Sequence, residues 1–184
     1  MNLFLKRIIV VLVVIAVGIF GYIFFSTNLL KSRLSPKDTV EFKLNDLELE
    51  VFYNRPSKRD RVIFGGLVPY DLIWRTGANE ATTFETNRDL IVNGEILLAG
   101  LYTLWTIPGE ENWTVIFNTK QYPWGVDETM QPMREAHYDA IQVEVPVQKL
   151  DQVVEQFTIA FDNSTDNLSL TMAWDQTKIS VPLK

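Results

Sequence analysis

The chain has 184 residues, 47% of them hydrophobic and 22% charged, with a formal net charge of −6, one histidine and no cysteine. Without cysteine it holds no disulfide, no thiolate metal site, no thiol nucleophile and no thiol for lipid attachment. All 23 acidic residues but only 13 of the 17 basic ones lie beyond Arg33, so that part carries −10 and repels nucleic-acid phosphates and anionic lipid surfaces.

Ile8 to Phe25 is an unbroken apolar run of 18 residues. At about 1.5 Å per residue a helix of this length spans roughly 27 Å, close to a hydrocarbon core. Its Leu, Ile, Val and Phe side chains favour insertion by about −4 to −8 kcal/mol in sum. Lys6 and Arg7 resemble the charged start of a signal peptide. The run is longer than a usual signal core, however, and Gly21 to Phe25 offers no small-residue cleavage pattern. The reading is a retained anchor: residues 1–7 a short cytoplasmic tail, 8–25 a transmembrane helix, 26–38 a linker and 39–184 an extracytoplasmic domain. Lys6 and Arg7 before the helix nearly balance Lys31, Arg33 and Lys37 after it. The short tail and the acidic domain decide for a cytoplasmic N-terminus, which implies a single-pass protein of a bacterial inner membrane with a periplasmic domain.

Beyond the linker the pattern is β throughout. Leu47, Leu49, Val51 and Tyr53 alternate as a half-buried strand that ends before Pro56. Val62 to Phe64 reads as a short strand, and Gly65-Gly66 as a bulge or close approach. Thr82 to Thr86 and Leu90 to Val92 lead into Asn93-Gly94, a hairpin signal because both residues tolerate positive φ. Glu95 to Ile107 is expected to return as one long strand bent at Gly100, and Trp113 to Asn118 as the next. Residues 119–137 have no clear period. Alternation resumes at Ile141 to Val145, Phe157 to Phe161 and Leu168 to Trp174, with Asp162 to Asn167 and Asp175-Gln176 as turns. Gln148 to Glu155 suggests a turn or two of helix. Short strands at regular spacing imply an all-β domain, an antiparallel β-sandwich or jelly-roll-like barrel, following an N-terminal transmembrane helix.

One segment concentrates polar chemistry: Trp74-Arg75-Thr76-Gly77-Ala78-Asn79-Glu80-Ala81-Thr82, set between apolar runs. A loop this polar on a β scaffold is a place for a site. Two readings stand side by side. In the structural one, Arg75 and Glu80 pair to pin the loop, Gly77 allows a positive-φ turn, and Asn79 and Thr82 bond loop backbone. In the functional one, Arg75 is a fork for a carboxylate, phosphate or sugar hydroxyl, Asn79 and Glu80 assist, and Trp74 or Tyr70 is a stacking wall. Trp113 and Trp174 fall in strand patterns and belong in the core, whereas Trp124, between Pro123 and Gly125, belongs at the surface.

Catalytic signals are sparse. His137 is the single histidine, so no histidine-based metal motif exists and neither a metal nor a cofactor is expected. There is no G-x-S-x-G elbow, phosphate loop or dinucleotide fingerprint. Asp71, Glu80, Asp127 and Glu128 are candidates for a convergent carboxylate pair, which would make the protein a hydrolase or lyase with residues 70–82 in the active site.

With its upstream flank, Arg61 to Tyr70, the polar loop resembles domain-of-unknown-function family 2911, whose signature runs "RP…R.IFG.LVPY…WRTGANEAT". The likeness extends from Leu47 to Phe117 through Ala99-Gly100-Leu101-Tyr102 and Ile107-Pro108-Gly109, and again from Gln156 to Pro182. Asp71-Leu72 and Ala136 to Gln142 depart from the family pattern. The resemblance implies an exported β-sandwich with no agreed activity, and carries signature positions Arg61, Gly65, Pro69, Tyr70, Trp74, Arg75, Gly77, Asn79, Glu80, Thr82 and Trp124. Of these, Arg61, Tyr70, Trp74, Arg75, Asn79, Glu80, Thr82 and Trp124 are the expected ligand-binding residues. The expected role is binding or assembly in the bacterial envelope, with the membrane as one partner through residues 8–25 and a glycan, small anion or envelope protein as the other.

Overall fold

The structure, a computed structural model, describes residues 2–28, 33–164 and 167–184. Two units separate by their internal contacts, Met1–Leu34 and Ser35–Lys184. The first contains helix α1, Leu3–Asn28, which exceeds the expected 8–25 at both ends because apolar Leu3 to Leu5 and polar Ser26 to Asn28 continue the turn. Within it Leu3–Phe24 has a mean hydropathy of 2.7. It is long and apolar enough to cross a membrane, a property that signal sequences share.

The second unit is a two-sheet all-β sandwich. Its strands are β1 (Lys37–Leu44), β2 (Leu47–Asn54), β3 (Thr83–Thr86), β4 (Leu90–Val92), β5 (Glu95–Leu97), β6 (Gly100–Pro108), β7 (Asn112–Asn118), β8 (Asp139–Pro146), β9 (Gln148–Asp162) and β10 (Leu168–Leu183). Six form one sheet in the order β1-β2-β3-β6-β7-β8, and four the other, β5-β4-β10-β9. Every strand pair is antiparallel. Alternation turns Leu49, Val51, Phe84, Leu104, Val115, Phe117 and Val143 inward against Phe157, Ile159, Leu170, Met172 and Val181 of the facing sheet. The Tyr53 hydroxyl joins the two layers, accepting from the Ile159 amide at 3.1 Å and lying 3.3 Å from the Ile159 carbonyl.

Several expectations are corrected. The domain begins at Ser35 and its first strand at Lys37, before the expected boundary at residue 39. Glu95 to Ile107 is two strands, because the chain leaves the smaller sheet after Leu97 and joins the larger one at Gly100. Val62 to Phe64 is a turn closed by Leu67 N to Val62 O and Val68 N to Ile63 O, at 3.0 and 2.9 Å. Gln148 to Glu155 is strand, the exposed first half of β9. Asp175-Gln176 is no turn but an irregularity inside β10, where the register with β9 shifts on either side of Asp175.

Candidate functional site

After β2 the chain runs through turns and then rejoins the larger sheet. Asp71 N donates to Pro108 O at 2.8 Å, Trp74 and Thr106 exchange backbone bonds at 2.7 and 3.0 Å, and Leu104 N donates to Thr82 O at 2.8 Å. Residues 71–74 thus extend the β3 position along β6. Strand alternation then fixes where each side chain goes. Trp74 turns into the sandwich, its ring centroid 5.0 Å from Phe157, 6.0 Å from Trp174 and 6.2 Å from Trp113. Its indole N–H donates to Gly77 O at 3.1 Å. The stacking wall expected of Trp74 is therefore a core pillar. Ile73 turns the other way, onto a small apolar layer on the outer face of the sheet: Ala81, Trp105, Ile116 and Tyr122, with Ile107 alongside.

Residues 76–82 close over the end of β2. Buried Thr76 holds φ at +55°, a conformation that costs a β-branched residue on the order of 1–3 kcal/mol. Its hydroxyl lies 3.1 Å from that of Thr106, and its carbonyl accepts from the Thr82 hydroxyl at 2.7 Å. Gly77 sits at φ +149°, where an added Cβ would stand 3.1 Å from Asn54 O and 3.1 Å from Thr82 Oγ1. Asn54 lies fully buried beneath, its Nδ2 3.5 Å from Glu80 O.

Asn79 and Glu80 reach to the start of the domain. Asn79 Nδ2 donates to Ser35 O at 3.3 Å, and Glu80 Oε1 accepts from Lys37 Nζ at 2.9 Å. The pairing of Arg75 with Glu80 does not form; Lys37 takes that place. The Lys37–Glu80 pair is partly solvent-exposed, so Glu80→Gln is expected to lower stability by less than about 1 kcal/mol. The combined Asn79→Ala and Glu80→Gln variant should instead speed amide exchange at Asp38 and Val40, which face β2, while β6 and β7 stay protected. Unchanged exchange at β1 would show that these contacts do not hold the segment.

Arg75 follows the outward course of Ile73. The segment between β7 and β8 descends on it: Gly125, at φ +76°, comes so close that an added Cβ would meet Arg75 Cβ at 3.2 Å, the Trp105 ring at 3.4 Å and Ala81 Cβ at 3.5 Å. Arg75 Nη1 donates to the carbonyl of Trp124 at 3.2 Å. No carboxylate pairs with this half-buried guanidinium among the described residues, and burial pushes its pKa below the ordinary arginine value. Next to that carbonyl the Trp124 side chain is 46% exposed, at the surface as its Pro-Gly neighbours suggested.

The descending segment is tied at both ends. Asp127 accepts from the amides of Thr129 and Gln131 at 2.8 and 2.9 Å, which holds its pKa below the ordinary carboxylate value. The Glu135 amide donates to the Tyr122 hydroxyl at 3.0 Å. Asp139, its side chain only 6% exposed, accepts from Arg134, Asn118 and Gln142.

The sequence-derived site residues therefore divide. Arg75 and Trp124 come together, and Gly125, Trp105 and Tyr122 join them; the Pro-Trp-Gly punctuation hinted at Gly125 and nothing in the sequence at the other two. Asn79 and Glu80 clasp residues 35–37, and Thr82 and Trp74 serve the loop's own structure. Tyr70 lies over Gly65, whose Cβ would stand 2.8 Å from the ring, and burial with help from Glu110 raises its pKa. Arg61 bonds the carbonyls of Lys58 and Ser57 at 3.0 and 2.5 Å, closing the turn after β2. Of the carboxylates considered for catalysis, Glu80 accepts from Lys37, Asp127 caps its own turn and Asp71 lies beside Gly109. Among the described residues no group of three or more His, Cys, Asp or Glu is placed to hold a metal. His137 is exposed, its ring tilted at 40° to that of Tyr138 with centroids 4.0 Å apart.

No curated protein and no solved structure matches the chain. Residues 35–183 match the family described as "Protein of unknown function (DUF2911)". That match spans the sandwich from the clasped Ser35 to the end of β10, and the chain belongs to this family.

Proposed function

We propose that the protein is a binding module of the bacterial envelope, anchored in the inner membrane by α1 with its sandwich on the periplasmic side, and that Arg75 is its anion receptor. One observation carries this reading: a half-buried guanidinium whose only partner among the described residues is the neutral Trp124 carbonyl. Withdrawing an arginine partly from water without a counter-charge is unfavourable, and a bound carboxylate or similar anion relieves the cost through charge-assisted hydrogen bonds. A guanidinium serves this better than an ammonium, because its planar fork offers paired donors at fixed spacing.

Two measurements test the reading. The full chain should stay in the membrane pellet after alkaline carbonate washing, with an intact mass that includes α1; a soluble form lacking the helix would refute the anchor. Full-length protein in an amine-oxide micelle should bind acetate or inorganic phosphate in a saturable way that Arg75→Gln abolishes. Binding that is indifferent to this substitution would remove Arg75 from the function.

A further inference from the structure

The outer layer says more about the ligand than that it is an anion. We infer that the surface formed by Arg75 and Trp124 binds the carboxylated sugar of an acidic glycan, a uronic-acid residue whose carboxylate meets the Arg75 fork and whose ring rests on the Trp124 indole. This rests on the anion-receptor reading of Arg75 and adds the class of molecule that carries the anion.

Four observations support it. Trp124 is 46% exposed, although the next residue, Gly125, packs on the buried apolar layer. An exposed indole beside a charged fork offers one face to apolar C–H groups while the fork takes the charge, which suits a sugar ring bearing a carboxylate. The carbonyl bonded to Arg75 belongs to Trp124 itself, so one peptide unit sets the spacing between fork and plate. Gly125 makes this possible: its φ of +76° and the 3.2 Å approach to Arg75 Cβ disfavour a side chain, and the backbone settles closely on the arginine.

The same layer contains Trp105, fully buried, whose indole N–H has no acceptor among the described residues. Charge selects further. The sandwich carries −10 overall, so a singly charged carboxylate meets less repulsion than a dianionic phosphate does, while one fork suits one carboxylate.

The test uses the full chain in an amine-oxide micelle, which brings neither sugar nor phosphate. Methyl glucuronide is titrated against its neutral counterpart methyl glucoside, acetate and inorganic phosphate, with calorimetry for affinity and the Trp124 indole NMR signal as the reporter of place. The glucuronide is expected to bind at least tenfold more tightly than glucoside, acetate or phosphate, and to shift the Trp124 signal. Trp124→Ala and Arg75→Gln should each weaken it at least tenfold, with Arg75→Lys in between, since the lysine keeps the charge and loses the fork. Thermal unfolding of each variant separates a lost contact from a lost fold. Should acetate or phosphate bind as well as the glucuronide, dependent on Arg75 and indifferent to Trp124→Ala, the sugar falls and the anion receptor stands. Should no probe bind, or should binding ignore Arg75, both fall together.

Discussion

Asp139→Ala should cost roughly 3–5 kcal/mol, because it leaves the Arg134 guanidinium in a nearly dry site with its counter-charge removed. The side chains of Arg134 and Asp139 are 13% and 6% exposed. Asp139 Oδ1 also accepts from Asn118 Nδ2 at 2.8 Å, and Oδ2 from Gln142 Nε2 at 2.9 Å. The cluster sits where the β7–β8 register shifts between Phe117 and Asn118, so four side chains stabilise an irregular stretch of sheet. For a domain of this size the loss corresponds to a fall of about 10 °C in Tm. The double variant Asp139→Ala, Arg134→Ala should recover part of that loss, since it removes the stranded charge along with its partner. Melting within a degree or two of wild type for the single variant would show that the cluster is wet and weak.

Gly77→Ala is the second large effect, on the order of 2–4 kcal/mol. Two costs combine: a φ of +149° that side-chain-bearing residues avoid, and a methyl pressed to 3.1 Å from both Asn54 O and Thr82 Oγ1. Neither neighbour retreats easily. Asn54 is the last residue of β2 and wholly buried, and Thr82 is tied to Thr76 O. The denaturation midpoint should drop while the slope with denaturant stays the same, as for a loss of native stability without a change in the unfolded chain. A neutral result would mean that the loop is not seated on β2 as described.

The two substitutions probe different halves of what the sequence revealed. Where a side chain's surroundings repeat with the strand period, the fold was legible: Asn93-Gly94 announces the β4–β5 hairpin, and Leu168 to Trp174 the start of β10. Where an element is an edge, the period fades because neither face is fully covered. That is why Gln148 to Glu155 looks helical and is strand, and why β1, with Val40 and Phe42 only half-buried, does not stand out as a strand and its first two residues pass for linker. Long-range partners were invisible for another reason. Whether Glu80 meets Arg75 or Lys37 depends on how the loop crosses β2, and four positive-φ residues between Asp71 and Asn79 decide that crossing. Trp124 could be placed at the surface from its Pro-Gly neighbours; that its carbonyl would hold Arg75 could not.

The thin apolar layer under Trp124 has a dynamic consequence. Ala81, Trp105, Ile116 and Tyr122 cover only a fraction of what the inter-sheet core does, and the covering chain is fastened chiefly by its own local bonds. Such a flap can breathe at a free energy well below global unfolding, while the ten strands stay intact. Opening of the flap would carry Trp124 off Arg75, so the proposed surface of fork and plate would assemble and come apart on the flap's own timescale without disturbing the body that displays it.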